Sequence, residues 1–279
     1  MNHNSVITNA FTIDVEDYFQ VSAFSPYIKK DDWNVHECRI ERNIGKILEL
    51  LDNSGTKATF FTLGWIAERY PQIVNKIVQE GHELASHGYQ HDRASDLSEK
   101  DFLSDIKSSK KLLEDISGVE VKGYRAPSFS ISYSNLWAFD CLLSAGYKYS
   151  SSIYPIKHDH YGMPDAPRFS YPVREGLIEI PITTVRLFGK NFPSSGGGYF
   201  RLLPYSISKL MIGRVLATDK QSAMFYFHPW EIDIEQPRIP GVNIKTKFRH
   251  YVNIKGMEGK IKKLLLDFNW DRVDRVFSI

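Results

Sequence analysis

Long apolar runs are missing from this sequence. No stretch approaches the roughly eighteen residues that a membrane-spanning helix needs, so no stable membrane insertion is expected. Blocks of like charge are missing too: 35 basic and 33 acidic residues are intermixed, for a formal net charge of +2. No field of one sign steers the chain toward nucleic acid, which is therefore not an expected partner. Cysteine is scarce, and Cys38 and Cys141 are too far apart to make a metal or redox motif, so both read as reduced, buried thiols. The amino-terminal residues show no basic region leading into an apolar segment of signal-peptide length. A cytoplasmic location, with at most peripheral membrane association, is the expectation. Internal repeats and low-complexity segments are also lacking.

The chain of 279 residues, 42% of them hydrophobic, is long enough to bury a sizeable core. Its apolar patterning alternates strand and helix. Residues 6–13 read as a buried strand, 39–52 as a helix with apolar spacing of three and four, 57–63 as a second strand, and 65–80 as a helix restarted at Pro71. Residues 83–86 form a short strand. Ser98-Glu-Lys-Asp101 opens a helix to residue 116, and helices at 136–145 and 202–217 alternate with strands at 177–181 and 223–227. Such an order predicts a parallel α/β sheet or barrel. The tail from Gly241 is basic and then amphipathic, and is expected to pack a helix carrying Ile261, Leu264, Leu265 and Phe268 on the outside of the domain.

Chemistry-bearing residues gather where strands end. His87 and His91, four apart, project in similar directions on a helix or tight turn, and neutral imidazole is the commonest metal ligand. Asp14, Glu16 and Asp17 follow the first strand; alone they would serve equally well as caps or loop charges. One carboxylate with two imidazoles makes a three-ligand set that leaves positions open for water and substrate, and another carboxylate nearby could take a proton. Arg125, in Tyr-Arg-Ala-Pro127, is either a surface cation or a buried partner that orients one of the acids. His228 closes an apolar strand and is either a packed core residue or a general acid.

In order and approximate spacing, Phe11-Thr-Ile-Asp14, His87-x-x-x-His91, Arg125-x-Pro127 and His228 resemble the NodB-homology polysaccharide deacetylases, carbohydrate esterase family four. The longer stretches Phe11–Phe24, Gly196–Pro204 and Tyr226–Glu231 look like the branch associated with exosortase and exopolysaccharide loci. The resemblance implies a distorted (β/α) barrel with fewer than eight strands. It implies one divalent ion, Zn2+ in the first place and Co2+, Ni2+ or Mn2+ as alternatives. Asp14 would be the base, His87 and His91 ligands, Arg125 the residue that orients Asp14, and His228 the acid. Where commoner members have two adjacent Asp, Val15 follows Asp14 here, so the carboxylate ligand is Glu16 or Asp17, with Glu16 favoured. Ser150 stands where relatives often carry Asp, leaving Glu231 or Asp233 to support His228.

The implied reaction is removal of N-acetyl groups from amino sugars of an oligo- or polysaccharide or its precursor, by residues 1–279 as a single domain with an extension from about residue 190. Pro193–Tyr199 is either a flexible loop or one whose bare backbone approaches a sugar, with Tyr199 and Phe200 as stacking surfaces. Pro127 and Trp230 are further candidates to contact substrate, Trp230 as a wall of the acetyl pocket. His158 and His160 read as part of a solvated loop. Competing readings are a cyclic-amide hydrolase on the same fold, acting on allantoin or a similar compound, and a catalytically silent carbohydrate-binding relative.

Overall fold

A computed structural model describes residues 7–158 and 161–279. Its first half repeats a strand-helix unit: β1 (Thr8–Val15), α1 (Ile40–Asn53), β2 (Thr59–Thr62), α2 (Gly64–Arg69), α3 (Pro71–Gln79), β3 (Glu83–Ser86), α4 (Glu99–Ser117), β4 (Gly123–Tyr124), α5 (Ala138–Ser144) and β5 (Tyr149–Ser150). The second half holds β6 (Tyr171–Arg174), β7 (Leu177–Glu179), β8 (Thr184–Leu187), β9 (Lys190–Pro193), α6 (Gly197–Leu202), α7 (Tyr205–Arg214), β10 (Met224–Phe227), α8 (Ile244–Tyr251), α9 (Ile254–Asp267), β11 (Asn269–Asp271) and α10 (Val273–Val276).

Among the described residues the sheet runs β10-β1-β2-β3-β4-β5-β7-β6, with β11 pairing the start of β1. Neighbours are parallel except β6 with β7. The sheet curls into a half-barrel whose outer face carries the helices, as the alternating sequence pattern predicts. Strand alternation explains its two faces. Phe11, Ile13 and Val15 of β1 and Phe225 and Phe227 of β10 pack outward with Ile44, Ile47 and Leu48 of α1 and with Met257, Ile261, Leu264 and Leu265 of α9. Ala10, Met224, Tyr226, Phe61, Ala85 and Tyr149 face inward. The tail helix α9 thus covers the sheet.

Local signals set the boundaries. Ser98 accepts the Asp101 N–H at 3.2 Å and caps α4, a contact of about 1 kcal/mol. Pro71 starts α3 after Tyr70 breaks from α2. The helix expected at 202–217 divides instead, because Pro204 interrupts it: α6 begins earlier, at Gly197, and α7 follows at Tyr205.

The carboxyl end of the chain closes the barrel floor, where Val273 joins the inner cluster with Val276, Phe277 and Ile279 against it. Glu83 lies in that floor, accepting bonds from Thr59 (2.5 Å), Tyr149 (2.9 Å) and the Asp274 N–H (3.1 Å). Burial, with the charge of Asp274, pushes its carboxyl from 4.5 up to about 7. The folded state therefore holds this proton where the unfolded chain has lost it. Stability from this group is full below the unfolded value and declines as pH rises through the folded one. Urea midpoints measured between these two pH values should fall with rising pH, and Glu83→Gln should flatten that slope.

A candidate metal and acid-base site

The carboxyl ends of the parallel strands meet at one rim, the position at which such folds collect ligands. β1 extends two residues past the expected strand, so Asp14 lies on it, turned inward with Ala10 and Thr12 by the period of two. Arg125, just past β4, reaches it from across the barrel: Nη1 donates to Asp14 Oδ1 at 2.5 Å and to Thr12 Oγ1 at 2.8 Å. Nε donates to the Ser151 carbonyl at 3.2 Å and Nη2 to Ser151 Oγ at 3.0 Å. The guanidinium also stacks 4.0 Å over Phe61 and is wholly buried. Of the two readings of Arg125, the buried partner of an acid is the one present.

Glu16, His87 and His91 lie together, all buried, with one ligand atom from each within 4.8 Å of the others. The two histidines are carried on a turn rather than a helix: β3 ends at Ser86, Gly88 (φ 77°) and His91 (φ 55°) take left-handed conformations, and the turn folds both rings to one side, 5.3 Å apart. His87 Nδ1 donates to the Arg125 carbonyl at 2.8 Å, which fixes the tautomer and leaves Nε2 with a free lone pair. Burial holds His87 down at about 4, so it is neutral at physiological pH, as a ligand must be.

Glu16 Oε2 sits 2.6 Å from His91 Nε2, yet it is a buried oxygen that accepts no hydrogen bond. Burial works to raise the Glu16 carboxyl, but the charges of His91 and then His228 hold it well below the usual range. An ionised, buried carboxylate oxygen whose one close neighbour is an imidazole, with a second imidazole in the same group, fits a divalent cation of the kind His and carboxylate ligands take.

Opposite this group, β10 delivers His228. Its Nε2 lies 3.6 Å from Glu16 Oε1 and 3.9 Å from Asp14 Oδ2. Nδ1 donates to Glu231 Oε1 at 2.7 Å, and the His228 N–H donates to the same oxygen at 2.9 Å. Arg201 of α6 holds the other Glu231 oxygen at 2.6 Å. Burial would depress His228, but Glu16, Glu231 and Asp14 outweigh it and raise the ring to about 9. It is therefore a cation with a proton to give. Of the two substitutes for the missing acid at Ser150, Glu231 makes this contact. Asp233 is buried with Arg39, Arg42 and Asn43 instead, and Ser150 donates to Ser152 Oγ.

The remaining candidates divide. Asp17 is not in the ligand group: its Oδ1 accepts the Tyr18 N–H at 2.7 Å and its Oδ2 the Arg39 N–H at 2.5 Å, so it caps a short turn. Trp230 is buried; it donates to Glu16 Oε1 at 3.3 Å and stacks between His228 (5.2 Å) and His250 (4.1 Å). It supports ligand and acid from behind. Pro127 is buried beside the Gly88 turn, and Ser128 (φ 55°) and Phe129 (φ 50°) after it are held in left-handed conformations.

Tyr199 is half-buried on α6, whereas Phe200 is a core residue packed 4.8 Å from Phe225. The glycine triplet does not form an open loop. A Cβ at Gly196 (φ 131°) would fall 2.2 Å from the Tyr226 carbonyl oxygen, so close packing against β10 accounts for it. His158 stacks on Tyr161 at 4.0 Å; His160 lies outside the described residues. Ser151 and Arg201 were not visible as site residues in the sequence, and neither carries a local motif that marks its distant partner.

The polysaccharide deacetylase family matches residues 30–149. The chain carries a polysaccharide deacetylase domain. It is of the NodB-homology type, and the half-barrel is the fold of carbohydrate esterase family four: a Mycobacterium smegmatis protein described as a polysaccharide deacetylase superposes with a TM-score of 0.61 at 19% identity, over 98% of this chain and 89% of its own. A peptidoglycan-N-acetylglucosamine deacetylase of Bacillus cereus is 36% identical over 94 residues, 33% of this chain and 34% of that protein. A peptidoglycan deacetylase of Helicobacter pylori is 31% identical over 113 residues, 40% and 38% of the two. These matches thus span little more than a third of the curated relatives. Residues 151–278 match a domain of unknown function, DUF3473. The deacetylase sheet runs through both stretches. Asp14 and Glu16 precede the deacetylase match, while Arg201, His228 and Glu231 belong to the second.

Proposed function

We propose that this protein is a metal-dependent hydrolase that removes N-acetyl groups from amino sugars of a polysaccharide or its precursor, in exopolysaccharide biosynthesis. Residues 1–279 act as one unit, with the extension from about residue 190 packed on it and supplying Arg201, His228 and Glu231. The observation that carries the reading is the convergence of a buried, ionised Glu16 carboxylate and two imidazoles on the same rim as Arg125-held Asp14 and Glu231-held His228. The exopolysaccharide setting is supported by the stretches Gly196–Pro204 and Tyr226–Glu231, both within the part matched by the domain of unknown function.

A divalent ion held by Glu16, His87 and His91, zinc in the first place, supplies when bound a Lewis acid for the acetyl carbonyl and a more acidic water. Asp14, its Oδ1 fixed by Arg125, presents Oδ2 to take a proton from the attacking water. His228, its ring fixed by Glu231, gives its Nε2 proton to the nitrogen as the C–N bond breaks, so the products are acetate and a free amine. Trp230 keeps Glu16 and His228 in register from below.

Acetate release from a panel of N-acetylhexosamine oligomers, with allantoin in parallel, tests this reading. Release from the oligomers is expected. Turnover of allantoin alone would assign the site to cyclic amides, and binding of oligomers without release would make the protein a silent relative. Glu231→Gln should lower kcat roughly tenfold to a hundredfold, a share of what positioned acid-base groups supply, with metal content unchanged in the same samples.

A further inference from the structure

Helix α8 buries one side and exposes another. His250 on its inner side is buried, in a ring stack 4.1 Å from Trp230 and tilted 4.4 Å from Phe24. Its outer side leaves Ile244 86% and Phe248 57% exposed. These two are four residues apart, so they form one stripe, with Lys247 on one flank and Lys245 and Arg249 on the other, all exposed. Arg238 lies over the Tyr251 ring at 4.0 Å and joins Ile239, Pro240, Ile244, Lys247, Phe248 and Tyr251 around an apolar groove of about 580 Å3. From Gln236 to Met257 the sequence holds five basic residues, Arg238, Lys245, Lys247, Arg249 and Lys255, and no acidic one. In a chain whose net charge is only +2, this is a local concentration of positive charge around exposed apolar side chains.

We propose that this face of α8, with its groove, is a docking surface for an anionic lipid bilayer. Exposed Ile and Phe on one stripe of a short helix, flanked by lysine and arginine, are what an interfacial helix presents: the apolar pair enters the headgroup region and the cations meet lipid phosphates. The absence of acid over that whole segment selects a negatively charged surface over a neutral one. Docking would also place the catalytic rim close to the membrane. The end of α8 is tied to the site through Arg201, which donates to the Arg249 carbonyl at 3.1 Å and to that of His250 while holding Glu231. A glycan built on or near a bilayer would thus be met where it is made; among the described residues no helix is long and apolar enough to cross one.

Co-sedimentation of the full chain with vesicles of phosphatidylcholine, with and without phosphatidylglycerol, tests this. Binding to the mixed vesicles only is expected, with a loss of roughly tenfold or more in Lys245→Glu/Lys247→Glu and in Ile244→Glu/Phe248→Glu. Thermal melts and acetate release from soluble oligomers should be unchanged in both variants, so failure to bind vesicles is separable from failure of the deacetylase reading. No sedimentation with anionic vesicles, or equal binding by the variants, overturns the proposal. A dimer in light scattering that Ile244→Glu/Phe248→Glu dissociates would overturn it too, by making the stripe a self-interface.

Discussion

Asp14→Asn is expected to lower kcat by a factor of about 100 to 10,000, the range of a positioned general base, while metal content stays at the wild-type level. Alternation along β1 turns Asp14 inward, and the salt bridge from wholly buried Arg125 pins Oδ1, leaving Oδ2 toward His228 as the proton acceptor. Asn preserves the shape and the bond from Arg125 but cannot take a proton. It also deprives a buried guanidinium of its counter-charge, which costs about 3–5 kcal/mol, so assays belong well below the melting temperature of the variant. Loss of turnover with the metal retained separates a base from a ligand. Activity within twofold of wild type would move the base elsewhere.

The second large effect lies two and three residues further on. Glu16→Gln should weaken metal binding at least about a hundredfold, beyond the effect of losing a group that merely supports a ligand, because it removes the only carboxylate of the Glu16-His87-His91 group. Asp17→Asn should leave metal content untouched and lower stability by about 1–3 kcal/mol. Its two oxygens accept backbone N–H groups from Tyr18 and Arg39, and an amide can satisfy only one of them. Metal content by inductively coupled plasma spectrometry and urea melts on both variants give a crossed pattern. The reverse pattern would make Asp17 the ligand.

That distinction also marks how far the sequence could be read. The apolar run from residue 6 located β1, but a strand taken to end at residue 13 puts all three acids on a loop, where Glu16 and Asp17 are equivalent. Because β1 continues to Val15, the period of two carries Asp14 inward, and Glu16 emerges on the same side next to His91. The order of strands and helices, the restart at Pro71 and the pairing of His87 with His91 were legible because each rests on local spacing. The Glu231–Arg201 contact was not, since thirty residues and α7 separate its members. Trp230 reads as a substrate-side wall and the glycine triplet as a loop, flexible or sugar-facing, for a similar reason: exposed and buried aromatic or glycine residues look alike until β10 supplies their neighbours. The floor of the barrel was equally hidden, because the chain end that meets Glu83 comes from almost two hundred residues away.

The most direct test of the account is acetate release from N-acetylhexosamine oligomers by protein stripped of metal and reloaded with zinc, cobalt, nickel or manganese in turn. The account predicts no release from the stripped protein, recovery with at least one of these ions, and no recovery in His87→Ala under the same conditions. Full release from the stripped protein, or recovery in His87→Ala equal to that of the wild type, would contradict it.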